Sequence, residues 1–376
     1  METSSSKRWE ALDILRGLSI IFMLLNLNPG AWDQQYSWLV HAKWQGGTFI
    51  DMVAPVFLFC IGAVIPLSLR RRTEKGTGKA ELVRHILTRA GLLVLIGLFL
   101  NGYPTFDFAH LRLPGVLQRI GISYALVSLF VLFAGGRNPV KATAIAFVVV
   151  TISWFLWLYF VSVPGFGAPR FDPVGSWPAY IDRAVFTTDH MFKWWPVDGK
   201  VVFDPDGLLS IFPVCANVLF GALTGALYPS LNRPLLTLFA GGALLMALAV
   251  ALNGLCPIIK NIWTSTFILF TSGFAWASLA LVTVLIERLK AAPVLLPAKV
   301  YGSNALLAYV LCFLIAPAID LVWLKPPLYS LRGLGQVTLS AVMTPKLASL
   351  LFGLIVLGGL LIPLWICYRK RWFVKL

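Results

Sequence analysis

The amino-acid sequence predicts an all-α polytopic membrane protein with about ten transmembrane helices. Of its 376 residues, 58% are hydrophobic and only 12% are charged, which is about half the charged fraction of a soluble domain. Apolar runs of about 20 residues, enough for a helix to cross a hydrocarbon core of roughly 30 Å, recur along the whole chain. Basic residues also concentrate in alternate connections between these runs. Together these observations exclude a soluble globular class.

The predicted helices are separated mostly by short connections. We expect the first span to be retained rather than removed as a signal peptide, because no small-residue cleavage site follows its apolar core. The connection over residues 162–206 is long and rich in aromatic residues, Pro, Gly and Asp, and residues 324–345 form a shorter version. Long connections of this kind are usually functional. We predict a single transmembrane domain over residues 1–376, with spans near residues 12–32, 48–69, 89–103, 115–134, 142–161, 207–228, 234–252, 262–286, 301–323 and 346–367.

The distribution of charge predicts the orientation of the chain. With ten spans, both termini fall on one side, and the connections on that side carry 20 of the 31 Lys and Arg residues against six of the 16 acids. The positive-inside rule therefore predicts cytoplasmic N- and C-termini. This asymmetry accounts for almost the whole net charge of +15, so no nucleic-acid partner is expected. Five cysteines without paired spacing predict packing residues rather than disulfides or a metal site.

A polar segment, "SWLVHAKWQGGTFID", separates the first two spans at residues 37–51. His41 lies there between Trp38 and Trp44. Histidine is the side chain that titrates near neutral pH without perturbation, so it is the default general base. Tryptophan is enriched at membrane interfaces, and the alternative is therefore a histidine within an interfacial aromatic belt.

Ionisable residues at membrane depth are functional candidates because they are costly to bury. Asp51 enters the second span and needs a partner, for which His41, Lys43 and Arg119 are candidates. Gln118 and Arg119 fall in the outer half of the fourth span. Arg119 is expected either in a buried structural ion pair or in contact with an anion or carbonyl.

Polar residues also mark the first span. Asn26 and Asn28 lie near its outer end, ahead of a Pro-Gly pair, where capping is one explanation and chemistry the other. Asp13 and Arg16 lie three residues apart on one helix face near its inner end. An interfacial salt bridge is the structural alternative for that pair.

Three further sites have both a structural and a functional explanation. The cytoplasmic run that contains Arg71 and Arg72 suits phosphate binding, since arginine pairs with phosphate oxygens through two hydrogen bonds, but it also suits a simple topology signal. Asn261, Ser303 and Asn304 lie at the starts of predicted helices, where capping explains part of the pattern.

The motifs resemble those of the heparan-α-glucosaminide N-acetyltransferase family and its bacterial NagX-like relatives. The resemblance covers nearly the whole chain, in the family's order from Leu12 onward. It runs through "LDILRGLSIIFMLLNLNPG", "HAKWQGGTFIDMVAPVFLFCIG", "RLPGVLQRIGISY", "AYIDRAVFTTDHMF", "DPDGLLSIFP", "KNIWTSTF" and "GSNALLAYV".

The resemblance implies a reaction in which cytoplasmic acetyl-CoA donates an acetyl group to the amine of a glucosamine-type sugar outside the cytoplasm. The family's catalytic histidine matches His41, acting as a base or as a transient acetyl carrier. The family also uses an asparagine near the end of the first helix. That position is Leu27 here, with Asn26 and Asn28 on either side, and one residue turns a helix by about 100°. We favour Asn28, where the helix ends.

The expected chemistry assigns provisional roles to the polar residues. A tetrahedral oxyanion needs hydrogen-bond donors, which Asn28 or Arg119 could supply, and no metal is expected. The residues expected to bind the acceptor sugar are Asp51, Trp44, Arg119, Gln118 and Asp204. Those expected to bind acetyl-CoA are Arg16, Arg71, Arg72, Asn261, Ser303 and Asn304.

The resemblance also implies a multi-pass protein of the bacterial cytoplasmic (inner) membrane, embedded in the lipid bilayer, for which a homodimer is one expected assembly. Two other functions stay open. One is a transporter of a sugar or peptidoglycan fragment, with His41 and Asp51 as a proton relay. The other is an O-acyltransferase of the same wider set. The acceptor could be free glucosamine, a muropeptide sugar or a chitosan-like oligomer.

Overall fold

The computed structural model describes residues 9–136, 138–194, 196–321 and 330–374. Over these residues the chain is helical, with short 3-10 turns and isolated β-bridges but no named strand. The predicted all-α class is confirmed. The α-helices are α1 Glu10–Leu27, α2 Phe49–Glu74, α3 Lys79–Gly102, α4 Val116–Ala134, α5 Pro139–Phe160, α6 Trp177–Phe186, α7 Ile211–Leu227, α8 Pro234–Ala251, α9 Ser265–Glu287, α10 Leu296–Ser303, α11 Ala305–Asp320, α12 Leu331–Ser340 and α13 Pro345–Arg369.

Most of the predicted spans are helices that could cross a membrane. By length and composition, eight helices of the described ranges qualify: α2, α3, α4, α5, α7, α8, α9 and α13. Helices α10 and α11 qualify together as a ninth span, bent by 86°. The predicted first span corresponds to α1, whose 18 residues include three charged ones, and this lowers its hydropathy. The chain therefore has the helices of a multi-pass membrane protein.

The structure differs from the predicted elements at four points. Helix α3 begins at Lys79, ten residues before the predicted span, because apolar character marks only the part of a helix that suits a membrane. The predicted connection over 162–206 contains α6, which Pro178 initiates in its first turn. The span predicted over 301–323 is broken at Asn304. Part of the 324–345 connection forms α12, while residues 322–329 lie outside the described ranges.

The chain divides into two compact units. Unit 1 comprises Met1–Ala42, Thr48–Phe57 and Ser278–Lys375, and unit 2 comprises Lys43–Gly47, Leu58–Ala277 and Leu376. The prediction of one functional domain over residues 1–376 stays a prediction. Helices α2 and α9 each contribute residues to both units.

Small residues let helices approach closely within each unit. In unit 1, a Cβ atom at Gly17 would overlap the Ala298 carbonyl group, and one at Gly302 would overlap the Asp13 carbonyl group. Helix α1 therefore lies against α10 with backbone in contact, as in other close helix pairs in membranes. In unit 2, a Cβ atom at Gly62 would likewise overlap Val218, which brings α2 against α7.

Candidate functional site

His41 and Asp51 form a hydrogen-bonded pair in unit 1. His41 follows a 3-10 turn, Ser37–Leu39, and Asp51 lies in the first turn of α2. The distance from His41 Nδ1 to Asp51 Oδ1 is 2.6 Å. The Asp51 side chain is fully buried, while 31% of the His41 side chain is exposed. Of the candidate partners for Asp51, the structure thus places His41 in contact.

Backbone and side-chain donors hold the Asp51 carboxylate in place. Its Oδ2 accepts hydrogen bonds from the backbone N–H of Ala42 at 3.1 Å and of Thr48 at 2.9 Å, and Thr48 Oγ1, whose one proton is shared between this oxygen and the Val40 carbonyl oxygen, lies 3.1 Å away. The N-terminus of α2 further favours a negative charge. A carboxylate can only accept, so the network requires His41 Nδ1 to donate its proton. Nε2 is then the ring nitrogen that can accept a proton.

Asn26 fixes the backbone immediately before His41. Its Nδ2 donates to the Leu39 carbonyl oxygen at 2.6 Å. Thr48 Oγ1 lies 2.8 Å from the carbonyl oxygen of Val40, the next residue. The loop is therefore bonded on the N-terminal side of the histidine, and Asn26 orients His41 through the backbone.

Asn28 is fully buried at the C-terminal end of α1. Its Nδ2 donates to the Leu24 carbonyl oxygen at 2.8 Å and to Cys312 Sγ of α11 at 2.9 Å. Its Oδ1 has no hydrogen-bond partner within the described residues. The amide orientation is set by Leu24, whose carbonyl can only accept. Asn28 thus offers Oδ1 as a buried acceptor. Its Nδ2, the donor expected to contact an oxyanion, already makes two hydrogen bonds.

Arg332 is a buried residue that the sequence reasoning missed. In the first turn of α12, its guanidinium lies 2.5 and 3.1 Å from the two Asp320 carboxylate oxygens and donates to the carbonyl oxygen of Pro29. It therefore fixes the turn that follows Asn28. Arg332 is the one charged residue between Lys325 and Lys346, and this isolation could have marked it as a candidate. Its partner Pro29 is too remote in sequence to be predicted.

Unit 2 contains a network of four charges: Arg112, Arg119, Asp204 and Asp206. Arg112 lies 2.9 and 2.5 Å from the two Asp204 oxygens and 2.9 Å from Asp206 Oδ2. Arg119 lies 3.3 Å from Asp206 Oδ1 and 2.9 Å from Ser210 Oγ, and it also donates to the Pro205 carbonyl oxygen. Two residues expected to bind the acceptor, Arg119 and Asp204, thus belong to one network. For Arg119 this is the buried ion pair expected as its structural role.

The charges of this four-charge network stabilise one another. Burial alone would lower the pKa of Arg112, but the hydrogen bonds and charges of Asp204 and Asp206 outweigh it and raise that pKa above its ordinary value. Burial alone would raise the pKa of Asp206, but the charges of Arg119 and Arg112 outweigh it and hold that pKa below its ordinary range. Both groups stay ionised, as expected of half-buried charges that are mutually paired.

A neighbouring acid, Asp182 of α6, has the opposite character. Its Oδ1 accepts the backbone N–H of Leu208 at 2.9 Å, whereas its buried Oδ2 has no partner within the described residues. A Cβ atom at Gly207 would overlap this carboxyl group, so the backbone lies directly on it. Burial and, next, the charge of Asp204 raise the pKa of Asp182 to about 7.

The other two residues expected to bind the acceptor have structural contacts in unit 2. Gln118 Nε2 donates to the Leu113 carbonyl oxygen at 3.1 Å. Trp44 Nε1 donates to the Phe171 carbonyl oxygen at 2.7 Å, and its ring packs edge-on against Phe203 at a centroid distance of 5.0 Å. Trp44 therefore fastens the segment after His41 to the loop over residues 162–206.

Three of the residues expected to bind acetyl-CoA lie at the α1–α10 contact of unit 1. The Arg16 guanidinium lies 2.9 Å from Asp13 Oδ1, and its Nε lies 2.8 Å from the Gly302 carbonyl oxygen. The salt bridge expected as its structural role is present. Ser303 Oγ donates within its own helix, and both sides of the Asn304 amide bind the C-terminal segment over residues 372–374.

The remaining three lie in unit 2 and differ in exposure. Arg71 is exposed and Arg72 half-buried in the last turn of α2. Asn261 is buried, and neither its Nδ2 nor its Oδ1 has a hydrogen-bond partner within the described residues. Asn261 thus belongs to unit 2, whereas Ser303 and Asn304 belong to unit 1. In the described ranges no group of three or more His, Cys, Asp or Glu residues has a metal-site arrangement.

The chain is similar to one family model and to two curated proteins. A family model described as a domain of unknown function (DUF5009) matches residues 8–172. Heparan-alpha-glucosaminide N-acetyltransferase of Mus musculus is 27% identical over 357 residues, covering 82% of this chain and 53% of that protein. The protein of the same name from Homo sapiens is 27% identical over 353 residues, with coverage of 81% and 52%. The chain thus spans about half the length of the curated relatives it matches. These matches confirm the resemblance carried by the motifs: the chain is similar to the heparan-alpha-glucosaminide N-acetyltransferases.

Proposed function

We propose that the chain is an acetyltransferase that moves the acetyl group of acetyl-CoA to the amine of a glucosamine-type sugar. The observation that carries this proposal is the His41–Asp51 pair, in which a fully buried carboxylate orients a partly exposed histidine. The pair lies in the segment that matched the family's catalytic motif, and the relatives are named as N-acetyltransferases of a glucosaminide.

His41 is the general base in this reaction. The acceptor amine attacks the thioester carbonyl carbon, a C–N bond forms, and Nε2 of His41 takes the proton that the amine loses. The C–S bond then breaks, and CoA leaves as a thiol after receiving that proton. Asp51 holds the ring through Nδ1 and stabilises the imidazolium while it carries the proton, as the carboxylate does in a Ser-His-Asp triad.

The same geometry supports a two-step route. In that route Nε2 attacks the thioester first, CoA leaves, and the acetyl-imidazole is then attacked by the amine. Both routes need Nε2 unprotonated at the start, and in the neutral ring the Asp51 hydrogen bond selects the tautomer that carries its proton on Nδ1. Rapid quenching with labelled acetyl-CoA and no sugar separates them, since only the two-step route leaves label on His41.

The donor and acceptor occupy opposite sides in this proposal. Arg71 and Arg72 hold the CoA phosphates on the cytoplasmic side, because they are the predicted donor-binding arginines whose side chains reach the surface. The amino sugar is bound outside the cytoplasm, and the protein resides in the bacterial inner membrane as a multi-pass enzyme, with a homodimer as its expected assembly. Asn28 contributes its buried Oδ1, which suits an N–H group of a substrate.

The test is transfer of labelled acetyl from acetyl-CoA to glucosamine by membranes that contain the protein. We expect His41→Ala to abolish transfer while the protein still inserts. His110→Ala is the matched control, because His110 forms a similar pair with Asp107, at 2.7 Å, but on an exposed turn. Loss of transfer in both variants, or in neither, would contradict the assignment.

Two outcomes would redirect the function. Sugar uptake into proteoliposomes without acetyl-CoA, together with no CoA binding, would indicate a transporter. An ester rather than an amide in the product, distinguished by mass spectrometry, would indicate an O-acyltransferase.

A further inference from the structure

Three consecutive cations lie where α13 ends in unit 1. Arg369, Lys370 and Arg371 all have exposed side chains. Trp372, the next residue, is 60% exposed. We call these four residues the basic surface. The positive-inside rule accounts for their charge, but it does not account for the geometry in which the structure holds them.

The backbone of the basic surface forms a defined helix end. The Trp372 N–H donates to the Cys367 carbonyl oxygen at 2.8 Å, and the Arg371 N–H donates to the Tyr368 carbonyl oxygen at 3.2 Å. This pair of hydrogen bonds is a Schellman motif, in which the left-handed residue is usually glycine. Arg371 occupies that position with a φ of +57°, which costs free energy in a residue with a Cβ atom. Such a cost is often retained where the side chain has a function.

Asn304 holds the segment that follows this motif. Its Nδ2 donates to the Trp372 carbonyl oxygen at 3.0 Å, and its Oδ1 accepts the Val374 N–H at 2.9 Å. Asn304 is 2% exposed and lies at the 86° break between α10 and α11. The cations of the basic surface are therefore presented from a backbone that is bonded on both sides of Trp372.

The basic surface has no carboxylate partner within the described residues of unit 1. No Asp or Glu follows Asp320 in the sequence. At the α1–α10 contact, Glu10 lies 2.6 Å from Lys299 and Asp13 lies 2.9 Å from Arg16, so both acids are already paired. Three cations held in fixed positions without a counter-charge favour an anion supplied from outside the chain.

An aromatic ring and an apolar strip lie beside these cations. Lys370 Nζ lies 4.6 Å from the centroid of the Trp372 ring. Ile362 and Ile366 are 64% and 46% exposed and share one face of α13 with Arg369, because the three recur at helical spacing. Tryptophan is enriched at membrane interfaces, and basic clusters next to a membrane-spanning helix attract anionic headgroups. A lipid with a phosphate head and acyl chains matches this arrangement.

We propose that the basic surface binds the phosphate headgroup of an anionic phospholipid in the cytoplasmic leaflet. The acyl chains lie along the exposed strip of α13, whose end falls in that leaflet in the predicted topology. Arginine pairs with phosphate oxygens through two hydrogen bonds, and each cation near the surface strengthens binding about fivefold. The inference goes beyond the proposed acetyltransferase function and does not depend on it.

The test measures the melting temperature of the purified full chain in detergent micelles as phosphatidylglycerol or phosphatidylcholine is added. We expect the larger rise with phosphatidylglycerol, because a ligand of the folded state stabilises it. The difference should shrink in 1 M salt, where the Debye length is about 3 Å. The variant Arg369→Gln/Lys370→Gln/Arg371→Gln should bind phosphatidylglycerol about 100-fold more weakly and lose the difference.

Two further variants separate the basic surface from charge in general. Arg70→Gln/Arg71→Gln/Arg72→Gln removes the same number of cations from the end of α2 and should keep most of the difference. There Arg70 is already paired with Glu74 at 2.7 Å. Arg371→Gly should raise the lipid-free melting temperature, because glycine suits the left-handed position. It should also raise the phosphatidylglycerol content at half-maximal shift about fivefold.

Three outcomes would overturn the inference: equal shifts with the two lipids, an unchanged difference in the Arg369–Arg371 variant, or equal losses in the two triple variants. A shift caused by CoA without added lipid, and lost in the Arg369–Arg371 variant, would also overturn it and assign these cations to the acetyl donor. If that variant fails to fold, Arg371→Gly decides the question, and an unchanged half-maximal content would contradict the proposal.

Discussion

The two polar clusters of the molecule bury charge in different ways. In unit 1, a single buried carboxylate, Asp51, is satisfied by backbone N–H groups, a hydroxyl and His41, and the histidine ring remains partly exposed. In unit 2, the four-charge network joins two arginines and two aspartates that satisfy one another, with Arg119 and Asp204 buried and Arg112 and Asp206 half-buried. A paired network stabilises a fold, whereas an oriented histidine at a surface can exchange protons. We therefore expect the four-charge network to stabilise the fold and the His41–Asp51 pair to carry the proposed chemistry.

The strongest test of this comparison is Asp51→Asn. The amide removes the charge that stabilises the imidazolium. It can also donate a hydrogen bond to Nδ1 of His41, so the ring proton is no longer held on Nδ1. We expect acetyl transfer to fall by about 10²- to 10⁴-fold. Melting temperature should change much less, since an amide oxygen can still accept from Ala42 and Thr48. A loss of activity no larger than the loss of folded protein explains would show that Asp51 stabilises the fold instead.

The corresponding change in unit 2 is Asp204→Ala. It leaves half-buried Arg112 without its closest partner and also removes the acceptor for the N–H groups of Phe192 and Asp206. Because Arg112 keeps Asp206, we expect a loss of unfolding free energy at or below the roughly 3–5 kcal/mol of breaking a fully buried pair, measurable by thermal or denaturant unfolding. Asp107→Ala, which removes an exposed pair with His110 and one exposed hydrogen bond from the Ala109 N–H, is the control and should lower the unfolding free energy by at most about 1 kcal/mol. If Asp204→Ala kept its stability and lost only activity, the four-charge network would have a role in the reaction rather than in folding.

A pH series sharpens the description of unit 2, because Asp182 is buried beside the four-charge network. Its pKa of about 7 in the folded protein exceeds the ordinary value of 3.8. Between these values the folded state holds a proton that the unfolded state releases, so stability falls as pH rises through that range. We expect the free energy of unfolding to fall by roughly 2–4 kcal/mol between pH 4 and pH 8. Asp182→Asn should flatten this dependence in melting experiments, and an unchanged slope would show that another group is responsible.

The smallest expected effect concerns the loop that presents His41. Asn26→Ala removes one hydrogen bond to the Leu39 carbonyl oxygen, worth about 1 kcal/mol. We expect kcat to fall about three- to tenfold, with KM for acetyl-CoA unchanged. Asn26→Gln, which keeps the amide on a longer side chain, should restore part of the rate. A loss confined to KM would show that Asn26 contacts a substrate rather than the loop.

Local sequence patterns were sufficient to predict the helical class and to identify His41 as the candidate base between the first two spans. Spans are recognisable because each is a continuous apolar run, and this property does not depend on the rest of the fold. The sequence also limited the partners of Asp51 to three residues. Spacing could not choose among them, because the loop between residues 41 and 51 has no fixed periodicity.

The amino-acid sequence by itself determined the all-α membrane class, most of the helices and the segment that carries the candidate base. Only the tertiary structure decided which residue bonds Asp51, how Asn26 and Asn28 differ, and that Asn261 is unsatisfied. The physical reason is the length scale of the contacts. Asn28 meets Cys312 across 284 residues of chain, and Arg332 meets Pro29 across 303, and such contacts leave no periodic signal in the sequence.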